Sequence, residues 1–200
     1  GDHRDIHSFP TRRSSDLAII LDTFSFPLVI KPVYGAGGEG VLLVENHPQL
    51  GQVLKRLSTM TEDIFLVQDF ISGQSVSVSC FVLEGQVLPL SLNRQIINQQ
   101  GELIFQGIIV PYEHPKAQEI LNTAVHACEM VKGLKGFIGV DLVVNPQGPV
   151  LMEINARITL AYVALREIVS RNLAQDLLHL CLEHTLPDKL EMNGTYALYL

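Results

Sequence analysis

"GVDLVVNPQGPVLMEINARIT" (residues 139–159) decides how this chain is read. Two runs rich in β-branched and aliphatic residues flank Asn145-Pro146-Gln147-Gly148, whose composition is that of a turn. A five-residue loop at 145–149 pairs Val144 with Val150 and sets Asp141 opposite Glu153, and the period of two then puts Asn155 and Arg157 on the face of Glu153. Opposed carboxylates on neighbouring strands lie about 5 Å apart at Cβ and destabilise a hairpin unless something compensates them. A cation would do so. Asp, Glu and Asn offer hard oxygen ligands without sulfur or imidazole, which suits Mg²⁺ completed by substrate phosphates and water. Arg157 beside such an ion could bind a phosphate or carboxylate through both guanidinium edges. The alternative is a solvated hairpin edge with Arg157 paired to Glu153.

A second motif lies upstream. "KPVYGAGGEGV" (31–41) contains Gly35, Gly37 and Gly40 at G-x-G-x-x-G spacing, with Gly38 besides. A dinucleotide fingerprint or a P-loop requires its glycines to open a helix, whereas these open into the strand-like Val41-Leu42-Leu43-Val44. A kinase glycine loop lies between strands, but the chain has neither H-R-D nor D-F-G. What remains is a hairpin loop with Lys31 at the end of its first strand, kept extended by Pro32. Backbone N–H groups freed by glycine, together with a lysine, suit the covering of phosphates; an ordinary glycine-rich hairpin is the competing reading.

Outward from these motifs, residues 27–31, 40–45, 64–70, 75–83 and 86–93 read as strands, the last two joined through Glu84-Gly85. Helices are expected at 46–59, capped by Asn46 or His47, from Ala117 to a stop at Gly133, and from about Tyr162 to His184. Strands arriving as hairpins with helices between them make an α+β fold with a largely antiparallel sheet.

With 14 basic and 21 acidic residues the net charge is −7, and no basic surplus points to nucleic acid. A composition 47% hydrophobic and 18% charged is that of a globular chain, and no apolar run is long enough to span a membrane. Cys80, Cys128 and Cys181 lack metal spacing and read as buried free thiols of a cytoplasmic protein. The opening "GDHRDIHSFPTRRSSDL" (1–17) resembles the conceptual translation of a sequencing adapter, save for Ile6; the other reading is a polar N-terminal arm. Residues 1–17 are therefore expected to be disordered and foreign to the fold, with upstream protein missing.

A lysine before a glycine hairpin, a strand linker, and an Asp…Glu-x-Asn pair of strands together resemble the ATP-grasp superfamily, specifically its carboxylate–amine ligase-like members, over about Pro27 to His184. The resemblance implies an ATP-grasp fold of two α+β subdomains gripping ATP. Here it is N-terminally truncated, with residues 18–70 the remainder of the first subdomain and 71–200 the second. It implies that Lys31 binds the α and β phosphates, that Gly35, Gly37, Gly38 and Gly40 belong to the phosphate-covering loop, and that "VQDFISG" (67–73) is the hinge. There the backbone of Asp69, Phe70 and Ile71 meets adenine, with Gln68 nearby. Asp141, Glu153 and Asn155 match the Mg²⁺ ligands, with Mn²⁺ as a substitute, and Arg157 the arginine at the reacting phosphate. "SLNRQ" (91–95), "FQGIIVPYEHP" (105–115) and "INARIT" (154–159) are also similar to a branch that includes tyramine–glutamate ligase, where Arg94 would hold the acyl phosphate or the substrate carboxylate; an exposed strand-end arginine is the other reading.

Two positions depart from the family. Gln74-Ser75 stand where an acidic residue often meets the ribose, and Ala156 replaces a common proline. The expected activity is ATP- and Mg²⁺-dependent joining of a small-molecule carboxylate and an amine through an acyl phosphate. The alternative is a non-catalytic or truncated nucleotide-binding module, and on either view this fragment alone is expected to be inactive.

Overall fold

The computed structural model describes residues 9–11, 24–33, 40–57, 64–98 and 103–200. The chain divides into two compact units, Gly1–Ile71 with Ile97–Phe105, and Ser72–Ile96 with Gln106–Leu200.

The first unit carries a four-stranded sheet in the order β1-β4-β2-β3, from β1 (Phe9–Thr11), β2 (Leu28–Pro32), β3 (Leu42–Val44) and β4 (Phe65–Asp69). Helix α1 (His47–Leu57) follows β3; Asn46 Oδ1 accepts the Gln49 N–H at 3.1 Å and so caps it. Leu50 and Leu57 of α1 pack with Leu28, Ile30, Leu42, Val44, Phe65 and Val67, which cover one face of the sheet. Each such side chain contributes roughly 1.5–3 kcal/mol by leaving water. The expectation that residues 1–17 are disordered is corrected at Phe9–Thr11. This segment pairs with Phe65–Val67 because β4 would otherwise present an open row of backbone donors and acceptors.

The second sheet has six strands in the order β10-β7-β6-β5-β8-β9. They are β5 (Gln74–Leu83), β6 (Gln86–Asn98), β7 (Ile104–Val110), β8 (Gly136–Asn145), β9 (Gly148–Asn155) and β10 (Tyr196–Tyr199). The strand pairs β1·β4, β2·β3, β2·β4, β5·β6, β5·β8, β8·β9 and β7·β10 are antiparallel, and helices lie between the strands in sequence, so the fold is α+β. Helix α2 (Ala117–Met130) lays Ile120, Ala124 and Cys128 on Val76, Val78, Cys80, Leu92, Ile138, Val140, Leu142 and Val144, the apolar face of this sheet. Alternate residues face the other way; among them Ser77, Ser79, Ser91 and Asn93 form a buried polar cluster, while Phe81 and Phe137 are buried beside Tyr162. Asn93 Nδ2 donates to Ser77 Oγ at 3.2 Å and Ser79 Oγ at 3.1 Å, and its Oδ1 accepts from Ser91 Oγ at 2.6 Å, so the cluster is internally bonded.

The long C-terminal helix expected from Tyr162 to His184 is broken into α3 (Leu160–Ile168), α4 (Leu173–Leu178) and a π-helical turn, His179–Glu183. Asn172 causes the restart, its side chain accepting the N–H groups of Ala174 at 3.0 Å and Gln175 at 3.3 Å. Strands β7 and β10 are additions to the expected set. The three cysteines are free thiols, with Cys80 and Cys128 buried and Cys181 half-buried. Among the described residues no helix is long and apolar enough to cross a membrane.

Candidate functional site

Strands β8 and β9 bring Asp141 directly opposite Glu153 and Gly139 opposite Asn155. The turn between them is tighter than the expected five-residue loop: Asn145 pairs with Gly148, and Val144 meets Pro149 instead of Val150. Asn145 Oδ1 accepts the N–H groups of Gln147 at 2.9 Å and Gly148 at 3.1 Å, which closes the turn over two residues. Continued regularly, that register would put Met152 opposite Asp141 and turn Glu153 toward α2. A bulge between Asp141 and Leu142 absorbs the extra residue. Leu151 and Ile154, three apart, both pack on the α2 side, and Glu153 and Asn155 share the polar face with Asp141.

Both oxygens of Asp141 are held. Gln95 Nε2 donates to Oδ1 at 2.9 Å, and Asn155 Nδ2 donates to Oδ2 at 3.0 Å. Burial, then the charge of Glu153, push the Asp141 carboxyl up to about 6, partly offset by those two amide donors and by Arg157. Such a shift marks a half-buried carboxylate facing a like charge. The donor set fits a hard divalent ion: each Asp141 oxygen keeps a lone pair, Glu153 is exposed, and Asn155 spends its amide N–H on Asp141, so its oxygen is the end open to a metal. No group of three or more His, Cys, Asp or Glu gathers among the described residues.

Arg157 lies beyond β9, which ends at Asn155, so strand alternation does not place it on the face of Glu153 as expected. Its backbone N–H bonds to Asn155 O at 2.9 Å and its Nη1 to Ile158 O at 3.4 Å. The guanidinium is exposed and close enough to Asp141 to favour its ionised form.

Arg94 is corrected. It pairs with Val76 on β5, which pairs with Leu142 on β8, so it projects to the α2 side, opposite to Asp141. There it is exposed, its Cζ 5.9 Å from the centre of the Tyr112 ring. Its neighbours Asn93 and Gln95 take the polar face instead. Gln95 was not singled out from the sequence, although the strand period through "SLNRQ" carries the signal.

In the first unit, Lys31 pairs with Leu66 and Val29 with Gln68, so Lys31 and Gln68 share the sheet face that α1 leaves uncovered. The Phe70 N–H is bonded to Pro27 O at 3.1 Å. Gly40 has φ 75°, a left-handed turn that glycine adopts without strain. Gly35, Gly37 and Gly38 lie outside the described residues.

The ATP-grasp domain family matches residues 8–161. The tyramine–L-glutamate ligases of Methanocaldococcus fervens and Methanocaldococcus jannaschii are 38% identical over 138 residues and 35% identical over 139. The alignments cover 69% and 66% of this chain but 40% and 44% of those proteins, so the chain spans less than half the length of these curated relatives. Among solved structures, N5-carboxyaminoimidazole synthetase from Staphylococcus aureus in complex with ADP superposes with a TM-score of 0.79 at 17% identity, over 96% of this chain and 51% of that one. The L-amino acid ligase from Bacillus licheniformis gives 0.77 at 19% identity, over 98% and 48%. With the family match spanning most of its length, the chain belongs to the ATP-grasp family.

Proposed function

We propose that this chain is the nucleotide- and metal-holding part of an ATP-dependent ligase that joins a carboxylate to an amine. The observation that carries the reading is the pair of carboxylates on the polar face of the second sheet, Asp141, held by two side-chain amides, with Glu153 opposite it. In the proposed reaction a substrate carboxylate oxygen bonds to the γ-phosphorus of ATP as the bond to ADP breaks. The amine nitrogen then attacks the acyl carbon, phosphate leaves, and a proton is lost from nitrogen to give the amide.

Asp141, Glu153 and Asn155 would hold Mg²⁺, which when bound neutralises charge on the phosphate oxygens. Lys31 adds a point charge for the nucleotide phosphates, and the exposed Arg157 guanidinium a planar clamp for the acyl phosphate. The carbonyls of residues 69–71 accept from the adenine amine. These parts position and compensate charge, the main contributions in phosphoryl transfer.

The names of the relatives make L-glutamate and tyramine the first acid and amine to try. The test is ADP release by the intact protein with ATP, Mg²⁺ and that pair. Asp141→Asn and Glu153→Gln are each expected to bring turnover to background; undiminished release in either variant overturns the assignment. Because the chain spans less than half of those relatives, the 200-residue chain alone is expected to bind nucleotide without releasing ADP.

A further inference from the structure

Gln95 is not among the ligands proposed above, yet it spends its side-chain amide on one of them. It sits on β6, and Asp141 sits on β8, with β5 between. Neighbouring strands are about 4.8 Å apart, so the two backbones are separated by roughly twice that distance and both side chains must reach toward each other. It still brings Nε2 to within 2.9 Å of Asp141 Oδ1. What clears the way is Ser77, the β5 residue directly beside Asp141, whose short side chain turns back to Asn93 at 3.2 Å. A long residue at 77 would fill the path.

Ordering a glutamine costs rotamer freedom, and a hydrogen bond to an ionised acceptor offsets it. With Asn155 bonded to Oδ2, Asp141 is gripped at both oxygens by donors from different strands, which locks the plane of its carboxylate. Both donors are neutral amides. A lysine or arginine at 95 would orient the carboxylate equally well but would repel any cation brought to it.

We propose that Gln95 is a positioning residue for the nucleotide-bound cation, fixing the Asp141 carboxylate from two strands away without a charge that would compete with the ion. This rests on the assignment of Asp141, Glu153 and Asn155 as cation ligands. Partners that orient metal ligands commonly account for about ten- to a hundred-fold in metal affinity.

The test is Mn²⁺ affinity of the intact protein in the presence of ADP, followed by electron paramagnetic resonance, together with the Mg²⁺ dependence of ADP release. Gln95→Met keeps the shape and removes the donor. Mn²⁺ affinity is expected to fall about ten- to a hundred-fold, and the half-saturating Mg²⁺ concentration to rise in step, with kcat largely recovered at saturating metal. If this variant does not fold, Gln95→Asn, which keeps the amide but cannot reach Asp141, should show the same loss. A lowered melting temperature with unchanged Mn²⁺ affinity would reduce Gln95 to a structural residue and overturn the proposal. Asp141→Asn separates the two levels: if it binds Mn²⁺ as the wild type does, the ligand assignment itself fails, whereas loss in Asp141→Asn with none in Gln95→Met defeats the Gln95 role alone.

Discussion

Asp141 and Glu153 stand across from one another on β8 and β9 only because Met152 is taken up in a bulge. The arrangement costs the metal-free fold a like-charge contact, and the first prediction concerns that cost. Replacing Glu153 by Gln removes the repulsion while keeping the shape, so the metal-free protein at pH 7 should gain up to about 1 kcal/mol even as Mg²⁺-dependent turnover disappears. Urea denaturation with chelator present measures it. A Glu153→Gln protein less stable than the wild type would mean that the two carboxylates do not oppose each other.

The second prediction follows from the Asp141 carboxyl, raised from 3.8 to about 6 chiefly by burial. A folded state that binds a proton more tightly than the unfolded chain is favoured at low pH. The contribution is complete below about 4 and is lost as pH rises through 6, for this residue on the order of 2–3 kcal/mol. Asparagine mimics the protonated form throughout. The stability advantage of Asp141→Asn over the metal-free wild type should therefore widen between pH 4 and pH 7 in urea titrations. A constant gap would show that Asp141 ionises as freely in the folded protein as in the unfolded chain.

The third prediction concerns the turn that delivers Asp141 to its partner. Asn145 Oδ1 accepts two backbone N–H groups, and Lys116 Nζ bonds to the carbonyls of Asn145 at 3.3 Å and Pro146 at 2.9 Å. Asn145→Ala leaves both N–H groups without their acceptor and should cost about 1–2 kcal/mol, read as a lowered melting temperature. ADP release should fall with it, because the turn sets the register of the strands carrying the carboxylates. An unchanged melting temperature would show that the lysine clamp alone holds the turn.

How far these features could be read from sequence depended on whether the signal was local. The opposition of Asp141 and Glu153 was legible, yet by way of a wrong turn: the assumed loop was longer than the real one, and the unforeseen bulge restored the pairing. Bulges depend on packing on both faces, here Leu151 and Ile154 against the α2 core, which no local pattern reports. The face of Arg94 escaped for the opposite reason. Its charge suggested a role, but the alternation through Ser91, Asn93 and Gln95 assigns it to the other face once β6 is known to continue from Ser91 to Asn98. The helix break at Asn172 was readable as a capping residue and was overridden by apolar periodicity.

The last prediction sets Lys31 against Arg94, both offered by the sequence as cations for phosphate. Lys31 shares its sheet face with Gln68, on the side that α1 leaves uncovered, next to the strand that runs into the 69–71 linker. Arg94 stacks near Tyr112 on the α2 side of the other sheet. Lys31→Met should raise the KM for ATP about ten- to a hundred-fold, the loss expected for one charged hydrogen bond to phosphate. Arg94→Ala should leave KM and kcat within about twofold, as for a surface substitution away from the site. Steady-state kinetics on the two variants decides the matter. A large kcat loss in Arg94→Ala would return the arginine to the reacting phosphate, and an unchanged KM in Lys31→Met would remove the lysine from the nucleotide.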